Sequence, residues 1–118
     1  MEEYVLIHII MDFNHYQKEA YKTLLHKDRD HLAYFALGIA GESGEVADKI
    51  KKIFRDKDGI MTEADKEDVG KELGDVLWYL SQLAQYIGMD FADVAQMNLD
   101  KLKSRHERGV LGGSGDNR

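Results

Sequence analysis

The sequence predicts an all-α fold, a four-helix bundle completed by oligomerisation. Three observations carry that reading. No proline interrupts the 118 residues. Glu, Lys, Leu and Ala are abundant, and all four favour helices. Apolar side chains recur at three, four and seven positions through the long segments, which is the period of a helix face. A chain of this length is one domain, able to bury about 65% of its unfolded surface. The apolar stripes are wide enough that a lone subunit would leave hydrophobic surface open, so a dimer or tetramer is expected.

The elements follow in order. Residues Tyr4 to Met11 form a short apolar run behind Glu2 and Glu3, with no basic region before it, so neither a signal peptide nor a membrane span is expected. These features predict a cytoplasmic protein. Met11 resembles a second start, which makes residues 1–10 a dispensable extension, loose or strand-like, ahead of a domain over residues 11–108. Asp12 or Asn14 caps a first helix through about Leu25. A second helix is expected from about His31 to Phe54, with Leu32, Phe35, Ile39, Val46, Ile50 and Ile53 as its core stripe. Residues Arg55 to Met61 carry Asp-Lys-Asp-Gly and make a turn, and Thr62 caps a third helix reaching about Ile87. Val69, Leu73, Val76, Leu77, Leu80, Leu83, Ala84 and Ile87 bury one side of it, beside a polar stripe of Asp68, Glu72, Asp75 and Tyr79. Gly88 stops that helix and Asp90 caps a fourth, which contains Phe91, Val94, Met97 and Leu102. Residues 109–118, rich in Gly with Ser, Asp and Asn, form a flexible tail that orders only through contacts outside itself.

Composition excludes several function classes. The net charge of −6 disfavours nonspecific binding to nucleic acid or membrane, because no face gathers the Lys and Arg that displace counterions. Without cysteine there are no disulfides, no thiol catalysis and no Cys-type zinc site. No G-x-x-x-x-G-K run is present to cradle phosphates from backbone amides.

The chemistry concentrates in Gly41-Glu42-Ser43-Gly44-Glu45 and in Glu72 with Asp75. Each acidic pair is spaced by three residues, so both carboxylates point from one face of a helix. On an open surface each repulsion costs about 0.2–0.5 kcal/mol, more where helices pack, and converging carboxylates then need a cation. Gly38, Gly41, Gly44, Gly70 and Gly74 each cost about 1 kcal/mol relative to Ala, together comparable with the stability of a small domain. Close backbone approach between the two helices would compensate and would bring Asp75 within reach of an ion shared with Glu42, Glu45 and Glu72. Lys49 and Lys52 extend the acidic row, either as i,i+4 ion pairs or as phosphate-binding groups. Asn98, Lys101 and Arg105 share one side of the fourth helix, where an amide and two cations would suit a triphosphate. Trp78 is either a core or interface anchor or a surface on which a nucleobase stacks.

Four segments resemble the MazG-like nucleotide pyrophosphohydrolases of the all-α NTP pyrophosphatase superfamily. They are Tyr16-Gln17, Gly38 to Lys52 (GIAGESGEVADKIKK), Glu72 to Leu80 (ELGDVLWYL) and Asn98 to Arg105 (NLDKLKSR). The last ten residues are similar to the tail of a small single-domain subgroup. Glu42, Glu45, Glu72 and Asp75 match the family's acidic signature, but Gly41 stands where the first Glu of a doubled pair would be, which leaves the number of metals open. The resemblance implies a helical subunit completed by a partner chain, a Mg²⁺ cofactor, and hydrolysis of a nucleoside triphosphate to monophosphate and pyrophosphate. It assigns Glu42, Glu45, Glu72 and Asp75 to metal and catalysis. Lys49, Lys52, Lys101 and Arg105 supply charge to the substrate, and Asn98 orients it. Hard oxygen ligands without His or Cys suit Mg²⁺ or Mn²⁺ independently of the resemblance. A di-iron carboxylate bundle would need Glu-x-x-His motifs, and the third residue after each candidate Glu is Glu or Asp. The alternative function is a noncatalytic helical interaction or oligomerisation module whose acidic rows are surface decoration.

Overall fold

A computed structural model describes residues 10–118. Four helices follow one another: α1 (Phe13–Tyr21), α2 (Leu32–Lys57), α3 (Glu63–Tyr86) and α4 (Phe91–Glu107), with no strand among the described residues. The expected extension over residues 1–10 lies outside this range, apart from the exposed Ile10. No described helix is long and apolar enough to cross a membrane.

The helix ends follow from local chemistry. Asp12 caps α1 by accepting from the His15 N–H at 2.8 Å. α1 stops four residues short of the expected Leu25, because Thr23 and Leu24 tighten into i→i+3 bonds and His26 takes a positive φ of 55°. That turn buries Leu24 and leaves Leu25 open. The Leu32 N–H at the start of α2 donates to Asp30, and Asp58 and Gly59, both left-handed, end the helix three residues beyond Phe54. Thr62 and Asp65 form a reciprocal capping box on α3. Asp90 occupies the N-cap position of α4, yet its side chain caps nothing. The orphan N–H groups of Phe91 and Ala92 instead donate to Gln17 and Asn14 of α1, each at 2.9 Å. Gln17 also donates to the Met89 and Ser81 carbonyls, so one buried amide ties α1 to α3 and α4.

α2 and α3 pack as a long pair, α1 lies against α3, and α4 rests on α1 and α3 without approaching α2. The buried apolar core is small: Ala20, Leu24, Phe35, Ile53, Ala84 and Phe91. Leu32, Leu73, Leu80 and Ile87, expected in the core, are exposed among the described residues, as are Met97 and Leu102 of α4. A compact chain of this length would have a radius of gyration of about 13.5 Å, against 18.1 Å observed. Among the described residues much of the apolar stripe surface is open.

Close approach at the glycines holds at only one of the five. A Cβ on Gly38 would overlap the Tyr79 ring, whereas nothing lies within 4 Å of a Cβ on Gly41, Gly44, Gly70 or Gly74. Those four sit on helix faces left open by the described residues, whose packing does not explain them.

Candidate functional site

The antiparallel run of α2 and α3 sets the site. Residue pairs facing one another include Glu42 with Asp75, Gly38 with Tyr79, and Phe35 with Trp78. One carboxylate oxygen from each of Glu42, Glu72 and Asp75 lies within 4.8 Å of the others. Glu42 and Glu72 are half-buried and Asp75 is exposed. Burial, followed by the negative charges of Asp75, Glu72 and Glu45, raises the Glu42 carboxyl above the usual carboxylate range. The cation nearest to offsetting that charge is Lys49, whose Nζ lies 3.8 Å from Glu72. The donor set, three converging oxygen acids with an excess of negative charge, fits a hard divalent cation.

Two phenols border the cluster. Tyr79 donates to the Tyr34 hydroxyl at 3.2 Å. That bond, burial, and the charges of Tyr34, Glu42 and Asp75 push Tyr79 up to about 12. Burial, with Asp75 second, also raises Tyr16 on α1. Both remain neutral donors at neutral pH.

Of the four carboxylates expected to share an ion, three converge and Glu45 does not join them. Glu45 lines a groove of about 300 Å³ one turn further along α2, together with Asp48, Lys49, Lys52, Lys57, Asp65 and Asp68. The lysines there are already paired. Lys52 holds Asp48 at 2.8 Å and Lys57 holds Asp65 at 2.7 Å. Hydrogen bonds from Lys52 and Lys51 bring Asp48 down to about 2, and those from Lys57 and Thr62 do the same for Asp65. Phosphate binding by Lys49 or Lys52 would have to displace a carboxylate first.

Trp78 is anchored. Its indole N–H donates to Thr23 at 2.8 Å, and its ring meets Tyr79 and Phe35 edge-on. It also walls a cavity of about 440 Å³ with Leu24, Leu25, Arg29, His31 and Tyr34. On α4 the expected trio lies elsewhere. Asn98 and Lys101 line a cavity with Met89, Val94 and Met97. The buried Arg105 donates to the Gly115 and Asp116 carbonyls and, with Lys101, to the Asp116 carboxylate. These contacts from α4 hold the tail from outside it, and the tail also bonds within itself. Arg118 donates to the carbonyls of Val110, Leu111, Gly112 and Gly115 of the tail itself, and Arg108 of the α4 C-cap holds the Arg118 carbonyl. A terminal arginine closing a glycine-rich turn has no composition signal that distinguishes it from a solvated one.

Tyr34, Asp68 and Gln82 were not singled out as site residues from sequence. Tyr34 and Gln82 lie on otherwise ordinary helix stripes and gain their positions only from the pairing register of α2 with α3. Asp68 had a signal, its place on the polar stripe of Glu72 and Asp75.

A family model of the MazG nucleotide pyrophosphohydrolase domain matches residues 29–110. The chain is also 53% identical over 87 residues to Gene 37 protein of Mycobacterium phage L5, with 74% of this chain and 76% of that protein aligned. No solved structure matches.

Proposed function

Because the chain belongs to the MazG nucleotide pyrophosphohydrolase family, we propose that it is a Mg²⁺-dependent enzyme converting a ribo- or deoxyribonucleoside triphosphate and water to monophosphate and pyrophosphate. Its role is then the cleansing or balancing of nucleotide pools in the cytoplasm. The observation that supports this best is the convergence of Glu42, Glu72 and Asp75 on one point with no full counter-charge. In this reading those three side chains hold the ion, with Mn²⁺ as the alternative metal, and Glu45 joins them once charge is neutralised. A bound ion supplies a water of lowered pKa and neutralises phosphate charge.

The rest falls to the chain. Lys49 and Lys52 exchange Glu72 and Asp48 for phosphate oxygens, which keeps the outer phosphates in the acidic groove only when divalent cations accompany them. Tyr79 stays protonated beside the cluster, donating to the Tyr34 hydroxyl, and adds no charge there. Trp78 forms a wall of the neighbouring cavity, where a base would lie against it.

Asn98, Lys101 and Arg105 take no part within a subunit, since α4 does not approach α2. A second copy docked on the open apolar faces is what would bring them to substrate. A homo-oligomer of the 11–108 unit is therefore part of the proposal, supported by exposed Leu37, Phe54, Leu73, Leu80 and Met97.

The test is a panel of canonical and modified triphosphates with Mg²⁺, scored for products. Monophosphate with pyrophosphate is expected, and Asp75→Asn should lose most of the rate while keeping its helical content. Diphosphate with orthophosphate, or an Asp75→Asn variant at the parental rate, would overturn the assignment.

A further inference from the structure

The α2–α3 pair is chemically polar along its length. On one side of the carboxylate cluster lie Glu45, Asp48, Lys49, Lys52, Lys57 and Asp65. On the other lie aromatic rings: His31, Tyr34, Phe35, Trp78 and Tyr86. A nucleoside triphosphate has the same order, charged phosphates at one end and a flat base at the other.

Within the aromatic half one group is anomalous. Gln82 is 1% exposed, and among the described residues neither its Nε2 nor its Oε1 has a hydrogen-bond partner. Buried amides are satisfied as a rule, and each exception needs a reason. Gln17, buried to a similar degree on α1, shows the rule obeyed, since it bonds Ser81, Met89 and Phe91. Gln82 lines a cavity of about 250 Å³ with Tyr21, Arg29, His31, Phe35 and Tyr86. That cavity shares Leu24, Arg29 and His31 with the larger one walled by Trp78, so the two meet under the α1–α2 connection. Gln82 is two helical turns beyond Asp75 on the same face of α3, about 10 Å along the axis. A nucleoside bridges such a distance.

We propose that this bay receives the nucleobase and that Gln82 reads its hydrogen-bonding edge. The inference rests on the nucleotide chemistry proposed above and names the specificity residue of that site. A carboxamide offers one donor beside one acceptor, the complement of a base edge that presents the same pair reversed. The surrounding rings supply flat apolar walls, as base stacking requires.

The test is Gln82→Met in the full chain, because Met keeps the length and shape of Gln while removing both polar atoms. The parental protein should prefer one base over the others in kcat/KM by about tenfold or more, the worth of one bidentate pair. Gln82→Met should erase most of that preference without lowering thermal stability, because the amide it removes has no partner to lose. Two results would overturn the proposal. One is a parental enzyme that hydrolyses all bases equally. The other is a Gln82→Met variant that keeps its base preference but melts earlier, as expected if a trapped water satisfies the amide. A second measurement separates this inference from the reaction itself. In a ¹⁵N-labelled sample, the Gln82 side-chain amide signal should shift when nucleosides are added without phosphate or metal. A shift in a protein that hydrolyses no triphosphate would uphold the base site and sink the reaction. An unmoved signal in an active enzyme would do the reverse.

Discussion

Substituting Gly38 by Ala tests how α2 and α3 are packed beside the carboxylates. In an open helix Gly→Ala stabilises by about 1 kcal/mol. At Gly38 the added Cβ would overlap the Tyr79 ring, which must swing away. Tyr79 then loses its 3.2 Å bond to Tyr34, worth about 0.5–1.5 kcal/mol. It also loses its edge-on contacts with Tyr34 at 5.6 Å and Trp78 at 4.9 Å, each worth about 0.5–1.5 kcal/mol. Against the helix gain, Gly38→Ala should be destabilising by about 2 kcal/mol. Urea unfolding should show an earlier midpoint at an unchanged slope. In a Tyr79→Ala background the same substitution should cost nothing or stabilise, because the clash has gone. A Gly38→Ala variant as stable as its parent would refute the packing described here.

Other outcomes follow from the site. Magnesium at about 100 times its dissociation constant should stabilise the protein by about 2.7 kcal/mol, and Glu72→Gln should abolish that shift while raising stability without metal. The pH dependence has a definite sign. Glu42 titrates higher folded than its ordinary 4.5, so the folded state binds the proton more tightly and this stability term is complete below pH 4.5. It is lost as pH rises through the folded value. Magnesium competes with that proton, so the magnesium-induced rise in melting temperature should grow with pH across the same window, and Glu42→Gln should flatten it. Sedimentation at micromolar concentration should show a dimer or tetramer, and a fully active monomer would contradict the oligomer. Thr62→Ala removes the α3 cap and should cost about 1 kcal/mol in urea unfolding, whereas an unchanged midpoint would mean the cap is dispensable.

Periodicity and capping residues made the helices legible. Thr62, Gly88 and the Asp58-Gly59 turn mark ends within three residues of where the helices stop. The acidic spacing located Glu42, Glu72 and Asp75, since residues one turn apart must share a face. What spacing alone could not supply was the register between elements. Asp90 stands in a capping position, but Gln17 and Asn14, more than seventy positions earlier, do the capping. Lys101 and Arg105 look like phosphate ligands on a helical wheel, but Asp116 in the tail engages both. The apolar stripes were legible as stripes, while among the described residues nothing buries Leu73 or Leu80. Gln82 carries no pattern at all, because an amide on an apolar stripe gains meaning only when its partners are missing in three dimensions.

The central claim is that water attacks the α-phosphorus of a nucleoside triphosphate at the Glu42–Glu72–Asp75 centre. Hydrolysis in ¹⁸O-labelled water with Mg²⁺ tests it most directly. The account predicts the label in the nucleoside monophosphate, with unlabelled pyrophosphate as the other product. Label in pyrophosphate alone would move the attack to the β-phosphorus, and nucleoside diphosphate with orthophosphate would contradict the account.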